Sequence, residues 1–119
     1  MRFEEANKLI DKLLKAIEKN GVNDQLIPDL KKLREWALKE EDPLVTKVIR
    51  LSYEYIEENE CFDISVAKDE DEEGNEFYLE PGSDEENFSY LLNLLVNNEN
   101  EYNREEIRDY RTQLKEALY

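Results

Sequence analysis

The sequence predicts a mainly α fold: about five helices in an antiparallel or orthogonal bundle, with a two-stranded β-hairpin inserted at roughly 61–80. Three observations carry this. Apolar residues recur every three to four positions in five separate segments. Gly, Pro and Asn punctuate the joins between them. After Cys61 the period switches from helical to strict alternation. The length of 119 residues suits one domain, 1–119, with one core.

The first helix is expected over 3–20, where Phe3, Ala6, Ile10, Leu13 and Ile17 form one stripe. Asn20-Gly21 ends it, with Gly21 free to adopt a left-handed conformation and Val22 folding back. The second begins between Asp24, a plausible cap, and Pro28. Its stripe is Leu26, Leu30, Leu33 and Ala37, with Trp36 alongside. Asp42-Pro43 opens the third, Asp42 as cap and Pro43 at the first helical position. Leu44, Val45, Val48, Ile49, Ser52, Tyr55 and Ile56 face inward.

The segment FDISVAK then alternates, with Phe62, Ile64 and Val66 on one face. EFYLE repeats the pattern with Phe77 and Leu79. This reads as a hairpin with a long acidic tip around Gly74-Asn75, closed by Pro81-Gly82. A lone two-stranded ribbon is marginal in water, so Phe62, Ile64, Phe77 and Leu79 are expected to pack on the helices. Ser83 and Glu86 have capping-box spacing for a fourth helix, with Phe88, Leu91, Leu92 and Leu95 inward. For the fifth helix the expectation is Asn103 as cap, Glu106 at N3 and a Tyr102–Ile107 staple. Its stripe runs Ile107, Tyr110, Leu114.

Charge is the sequence's strongest functional signal. The net charge is −15, and residues 54–86 hold fifteen acids against a single base, Lys68. The remainder is nearly neutral. Such a chain would repel a phosphate backbone and an anionic membrane, so neither nucleic acid nor membrane is expected as a direct partner. The chain has no histidine, which removes histidine-activated nucleophiles and the Glu-x-x-His di-metal bundles. Cys61 is the only cysteine and has no disulfide partner in the chain. With no secretory-type apolar run at the N-terminus, a cytoplasmic location is expected. No nucleophile arrangement is present, so the expectation is a non-enzyme with no organic cofactor.

One loop has metal-ligand spacing. In DEDEEGNEFYLE, residues 69–80, Asp69, Asp71 and Glu73 fall at positions 1, 3 and 5 of a calcium loop. Gly74 falls at position 6 and Glu80 at position 12. Converging oxygens of this kind suit a hard cation, so calcium is the cofactor to consider. Against it, Glu73 is one carbon longer than the usual residue, Glu76 sits where an apolar side chain belongs, and the flanks read as strands. The bland alternative is a solvated hairpin tip.

The leading functional expectation is a protein-binding module whose acidic region meets a basic protein surface. Glu57, Glu58, Glu60, Asp69, Glu70, Asp71, Glu72, Glu73 and Glu76 supply the charge and Tyr78 an aromatic contact. Toxin-neutralising immunity proteins and mimics of the DNA backbone use the same logic, an analogy of class only, since no family motif is present. The alternatives are a self-associating structural protein, dimerising through the hairpin edge, and a cation-binding domain built on the 69–80 loop.

Overall fold

The structure, a computed structural model describing residues 1–119, is mainly helical. The helices are α1 (Glu4–Asn20), α2 (Ile27–Lys39), α3 (Pro43–Asn59), α4 (Asp84–Val96) and α5 (Glu101–Leu118). A 3-10 turn at Asp24–Leu26 precedes α2. A two-stranded antiparallel hairpin, β1 (Lys68–Glu70) and β2 (Glu76–Tyr78), separates α3 from α4. The molecule measures 45 × 28 × 27 Å. One apolar core joins all five helices, each contributing the stripe its spacing dictates.

Helix boundaries follow from local chemistry. The Asp42 carboxylate accepts the Val45 N–H at 3.2 Å, and Pro43 occupies the first turn, where its missing N–H costs nothing. Ser83 Oγ accepts the Glu86 N–H at 3.2 Å, and three acids fill the first turn of α4. α1 closes on Gly21, at φ +77°, whose N–H returns to the Ile17 carbonyl.

Two caps differ from expectation. Asn23, not Asp24, caps the turn before α2, accepting from the Gln25 N–H at 2.9 Å. α5 starts earlier than its capping-box spacing implies. Asn100 Oδ1 accepts from the N–H groups of Tyr102 and Asn103 at 3.0 and 3.1 Å. The Asn103 side chain instead reaches back to the Asn97 carbonyl, and Tyr102 is left in solvent rather than stapled to Ile107. Several asparagines stand in a row here, and the one whose side chain meets two free N–H groups sets the helix start.

Contacts at the helix ends give the topology. Phe3 packs on Trp36, ring centroids 5.3 Å apart, so α1 and α2 are antiparallel. The N-terminal ammonium of Met1 donates to the Leu95 carbonyl at 3.1 Å, setting α1 antiparallel to α4. Arg104 at the start of α5 pairs with Asp42, and Tyr119 at its end reaches Glu54. α3 and α5 are therefore neighbours running in the same direction. A parallel pair cannot be joined by a short loop, and the chain uses residues 60–100 to make the return.

The hairpin differs from the sequence expectation in its first strand and in what it buries. Residues 61–67 are extended but have no ladder partner. The strands pair only as Lys68–Tyr78, Asp69–Phe77 and Glu70–Glu76, with one further bond from the Leu79 N–H to the Ala67 carbonyl. Phe62 and Ile64 are buried in the core as expected, together with Val66 on the same face, whereas Phe77 and Leu79, expected to pack on the helices, stand in solvent. The first leg is thus a strap laid into the helices. Burying three such side chains is worth roughly 5–8 kcal/mol, well above anything a three-residue ladder supplies. Core packing anchors the hairpin, and the ladder merely finishes it.

Candidate interaction surface

α3 ends in Glu57, Glu58, Asn59 and Glu60, all exposed, with no base in its last turn. Carboxylates at a helix C-terminus oppose the helix dipole, each costing about 0.3–1 kcal/mol. Glu60 also takes a left-handed conformation, φ +53°, that favours glycine. Neither choice serves the stability of α3.

Beyond Glu60 the strap descends into the core. Phe62 packs tilted against Phe88 with centroids 4.7 Å apart and lies near Tyr55 and Tyr110. The Tyr55 hydroxyl donates to Asp63 Oδ1. Burial, then the Asp63 carboxylate, pushes the Tyr55 hydroxyl far above its ordinary range. Burial likewise raises the Cys61 thiol, reinforced by Asp63 and by Asp84 at the start of α4, which keeps this cysteine a thiol rather than a reactive thiolate. Asp63 and Asp84 thus bring negative charge from the strap and the start of α4 close to the end of α3. Glu85 lies against Gly21, so the end of α1 meets them too.

Asn87 fixes the second root of the hairpin. Its Nδ2 donates to the Phe62 and Gly82 carbonyls at 3.0 and 3.2 Å, and its Oδ1 accepts the Gly82 N–H at 3.0 Å. Tyr110 donates to its backbone carbonyl at 3.3 Å. Asn87 falls on the buried stripe with Leu91 and Leu95, and a polar residue in that place was the available sign of a hydrogen-bonding hub.

From Lys68 to Glu86 every residue except Asp84 is exposed. Gly74 at φ +83° turns the tip, and the Asp71 carboxylate braces it, accepting from the Glu73 and Asn75 N–H groups at 2.9 Å each. Those bonds, the Asn75 N–H foremost, hold the Asp71 carboxyl below its ordinary range. Asp69 lies on β1 with its carboxylate on the Glu70 N–H, Glu73 lies in the turn, and Glu80 lies beyond β2. The four calcium-spaced carboxylates are not drawn into one ligand set. No three Asp, Glu or Cys side chains are arranged to hold a metal ion.

The residues expected to meet a basic partner are placed differently. Glu57, Glu58 and Glu60 sit at the end of α3. Asp69, Glu70, Asp71, Glu72, Glu73 and Glu76 line the hairpin. Of the fifteen acids in 54–86, only Glu54 has a basic partner, Arg50 at 3.8 Å. The segment's single base is drawn away: Lys68 pairs with Asp109 of α5 at 3.4 Å, which raises its ammonium above the ordinary lysine range. Its Nζ also lies 5.1 Å from the centre of the Tyr78 ring. Within this charge Phe77, Tyr78 and Leu79 form an apolar run, 47%, 52% and 42% exposed.

No helix is long and apolar enough to cross a membrane. Comparison with protein-family models, with curated proteins and with solved structures finds no match to this chain.

Proposed function

We propose that this chain is a protein-binding module. The acidic end of α3, the hairpin and the start of α4 engage a basic surface on another protein, and Phe77, Tyr78 and Leu79 supply the apolar anchor. The observation that carries the reading is the unpaired charge: fourteen of the fifteen carboxylates in 54–86 have no lysine or arginine within ion-pair distance. Outside this segment seven of the sixteen acids are matched, as in Lys12–Asp29, Lys15–Asp11 and Arg104–Asp42. A surface that leaves carboxylates free, against a helix dipole and around exposed aromatics, has the makeup of an interface rim and centre. Complementary charge accelerates encounter and sets orientation.

The test uses two baits, the natural chain and a variant with Glu57, Glu58, Glu60, Glu70, Glu72, Glu73 and Glu76 changed to Gln. A partner held by the first and lost from the second should be basic. Its association rate should fall steeply as salt rises. Equal retention on both baits, or a rate indifferent to salt, removes the reading.

A second reading rests on the two open edges of the hairpin, which would let two copies pair strand to strand. Sedimentation across a wide concentration range separates it from the first. Self-association that survives the seven Glu→Gln changes but ends with Phe77→Ser supports it.

A further inference from the structure

Some of the bases that pair with no acid gather beside one cleft. α3 packs between α2 and α5, and along this face lies a cleft of about 470 Å³. Arg34 of α2 and Lys47 and Arg50 of α3 line it, with Leu38, Pro43 and Thr46 completing the wall. Arg34 and Lys47 make no ion pair, and Arg50 has only the glancing 3.8 Å approach to Glu54. The Nε atoms of Arg34 and Arg50 are buried and make no hydrogen bond, 3.8 Å being too long for one between Arg50 and Glu54. A buried guanidinium N–H without an acceptor is costly, and two in one cleft call for an explanation. Beside the cleft, Lys115 and Arg111 of α5 act on Lys47: repulsion by Lys115 first, then desolvation, then repulsion by Arg50 and Arg111, lower its ammonium below the ordinary lysine range. Two acids also line the cleft. Asp42 is already forked by Arg104, at 2.9 and 3.2 Å, and Glu41 stands exposed.

We propose that this cleft is an anion site, and that its ligand is a small molecule bearing a phosphoryl group, gripped by Arg34 and Arg50 with Lys47 and Lys115 closing over it. Guanidinium groups present paired donors that match phosphate oxygens, and ammonium groups add point charge. The volume lies within the range of small-ligand clefts, about 300–1,000 Å³. Net charge decides against larger occupants. A nucleic acid, or a second copy offering its acidic hairpin, would bring many charges against a chain of −15. A small anion feels mainly the cations within a Debye length, about 8 Å at physiological salt. Leu38 and Pro43 give the far wall an apolar surface on which an organic body could rest.

Amide NMR titration at physiological salt tests this, with pyrophosphate and ADP as probes and sodium chloride at matched ionic strength as control. Saturable shifts are expected at the cleft residues of α2 and α3 and at the facing part of α5, with a dissociation constant of about 1 mM or tighter. Tighter binding of ADP identifies a nucleotide-like ligand, and equal binding identifies a free polyphosphate. Arg50→Gln should weaken binding about tenfold or more. Lys47→Gln should weaken it while leaving the melting temperature unchanged or raised, since it relieves the crowding of cations. The two substitutions guard against misreading a folding defect. Shifts that sodium chloride reproduces, shifts that fall outside the cleft, or unaltered binding in both variants overturn the proposal.

Discussion

Replacing Asp42 with alanine removes three interactions of one carboxylate. It caps α3 through the Val45 N–H, it is forked by Arg104, and it accepts from Asn98 Nδ2 at 3.2 Å. Loss of the cap costs about 1 kcal/mol. The ion pair lies between the exposed and buried limits, its side chains 27% and 12% exposed, so its loss adds about 1–2 kcal/mol rather than the 3–5 of a fully buried pair. The total is about 2–3 kcal/mol. An unfolding entropy of about 2.1 cal/mol/K per residue converts this, over 119 residues, to a melting-temperature loss of about 8–12 °C. Asp42→Asn keeps the capping oxygen and loses the charge, so it should cost about half as much. Paired with Arg104→Gln in a double-mutant cycle by urea denaturation, it should show a coupling of about 1–2 kcal/mol. The dependence on pH has a definite sign. Burial opposes ionisation of Asp42, but the bonds from Arg104 and from the Val45 and Leu44 N–H groups outweigh it and depress the carboxyl. The advantage over Asp42→Asn is therefore full above the ordinary carboxyl value of about 4, and it closes as pH falls through the depressed one. A cost of Asp42→Ala below 1 kcal/mol, zero coupling, or an advantage that grows toward low pH would refute this account.

Three further outcomes follow from the same geometry. Phe62→Ala should cost about 3–5 kcal/mol, measured by denaturation, and strip the hairpin amides of hydrogen-exchange protection, because the strap is its anchor. Asn87→Leu leaves the Phe62 and Gly82 groups unsatisfied and should cost about 2–4 kcal/mol, with exchange at Gly82 accelerating before that of α5. Glu60→Gly relieves a left-handed glutamate and removes a charge from a helix C-terminus. Against the entropy glycine gains when unfolded, it should raise stability by about 1 kcal/mol in the same assay.

Legibility in the sequence followed the range of the forces involved. Asp42-Pro43 and Ser83–Glu86 fix their helix starts by chemistry confined to four residues, and both were readable. The strap was read as a ladder strand because alternation reports an extended backbone with one buried face. It carries no information on whether a partner strand lies alongside, and Phe62, Ile64 and Val66 are satisfied by helices instead. The sequence points to Asn103 as the α5 cap through its spacing to Glu106, and the start lies at Asn100 instead because its side chain meets two free N–H groups there. The acidic segment was visible since its members are neighbours in the chain. The cleft was not: Arg34 comes from α2 and Lys47 and Arg50 from α3, and only packing brings them to one face.

The parallel alignment of α3 with α5 bears on how the molecule would turn before any encounter. Each backbone is an aligned stack of peptide dipoles worth about 60 debye over 17 residues, and side by side the two add. α1 points the same way, while the shorter α2 and α4 oppose, so a net moment remains uncancelled. Its negative tip coincides with the glutamates closing α3. Main chain and side chains thus reinforce a single permanent moment, and the field of a cationic neighbour exerts a torque on it. The chain would swing into line while still in free diffusion, a compass needle whose magnet is partly its own backbone.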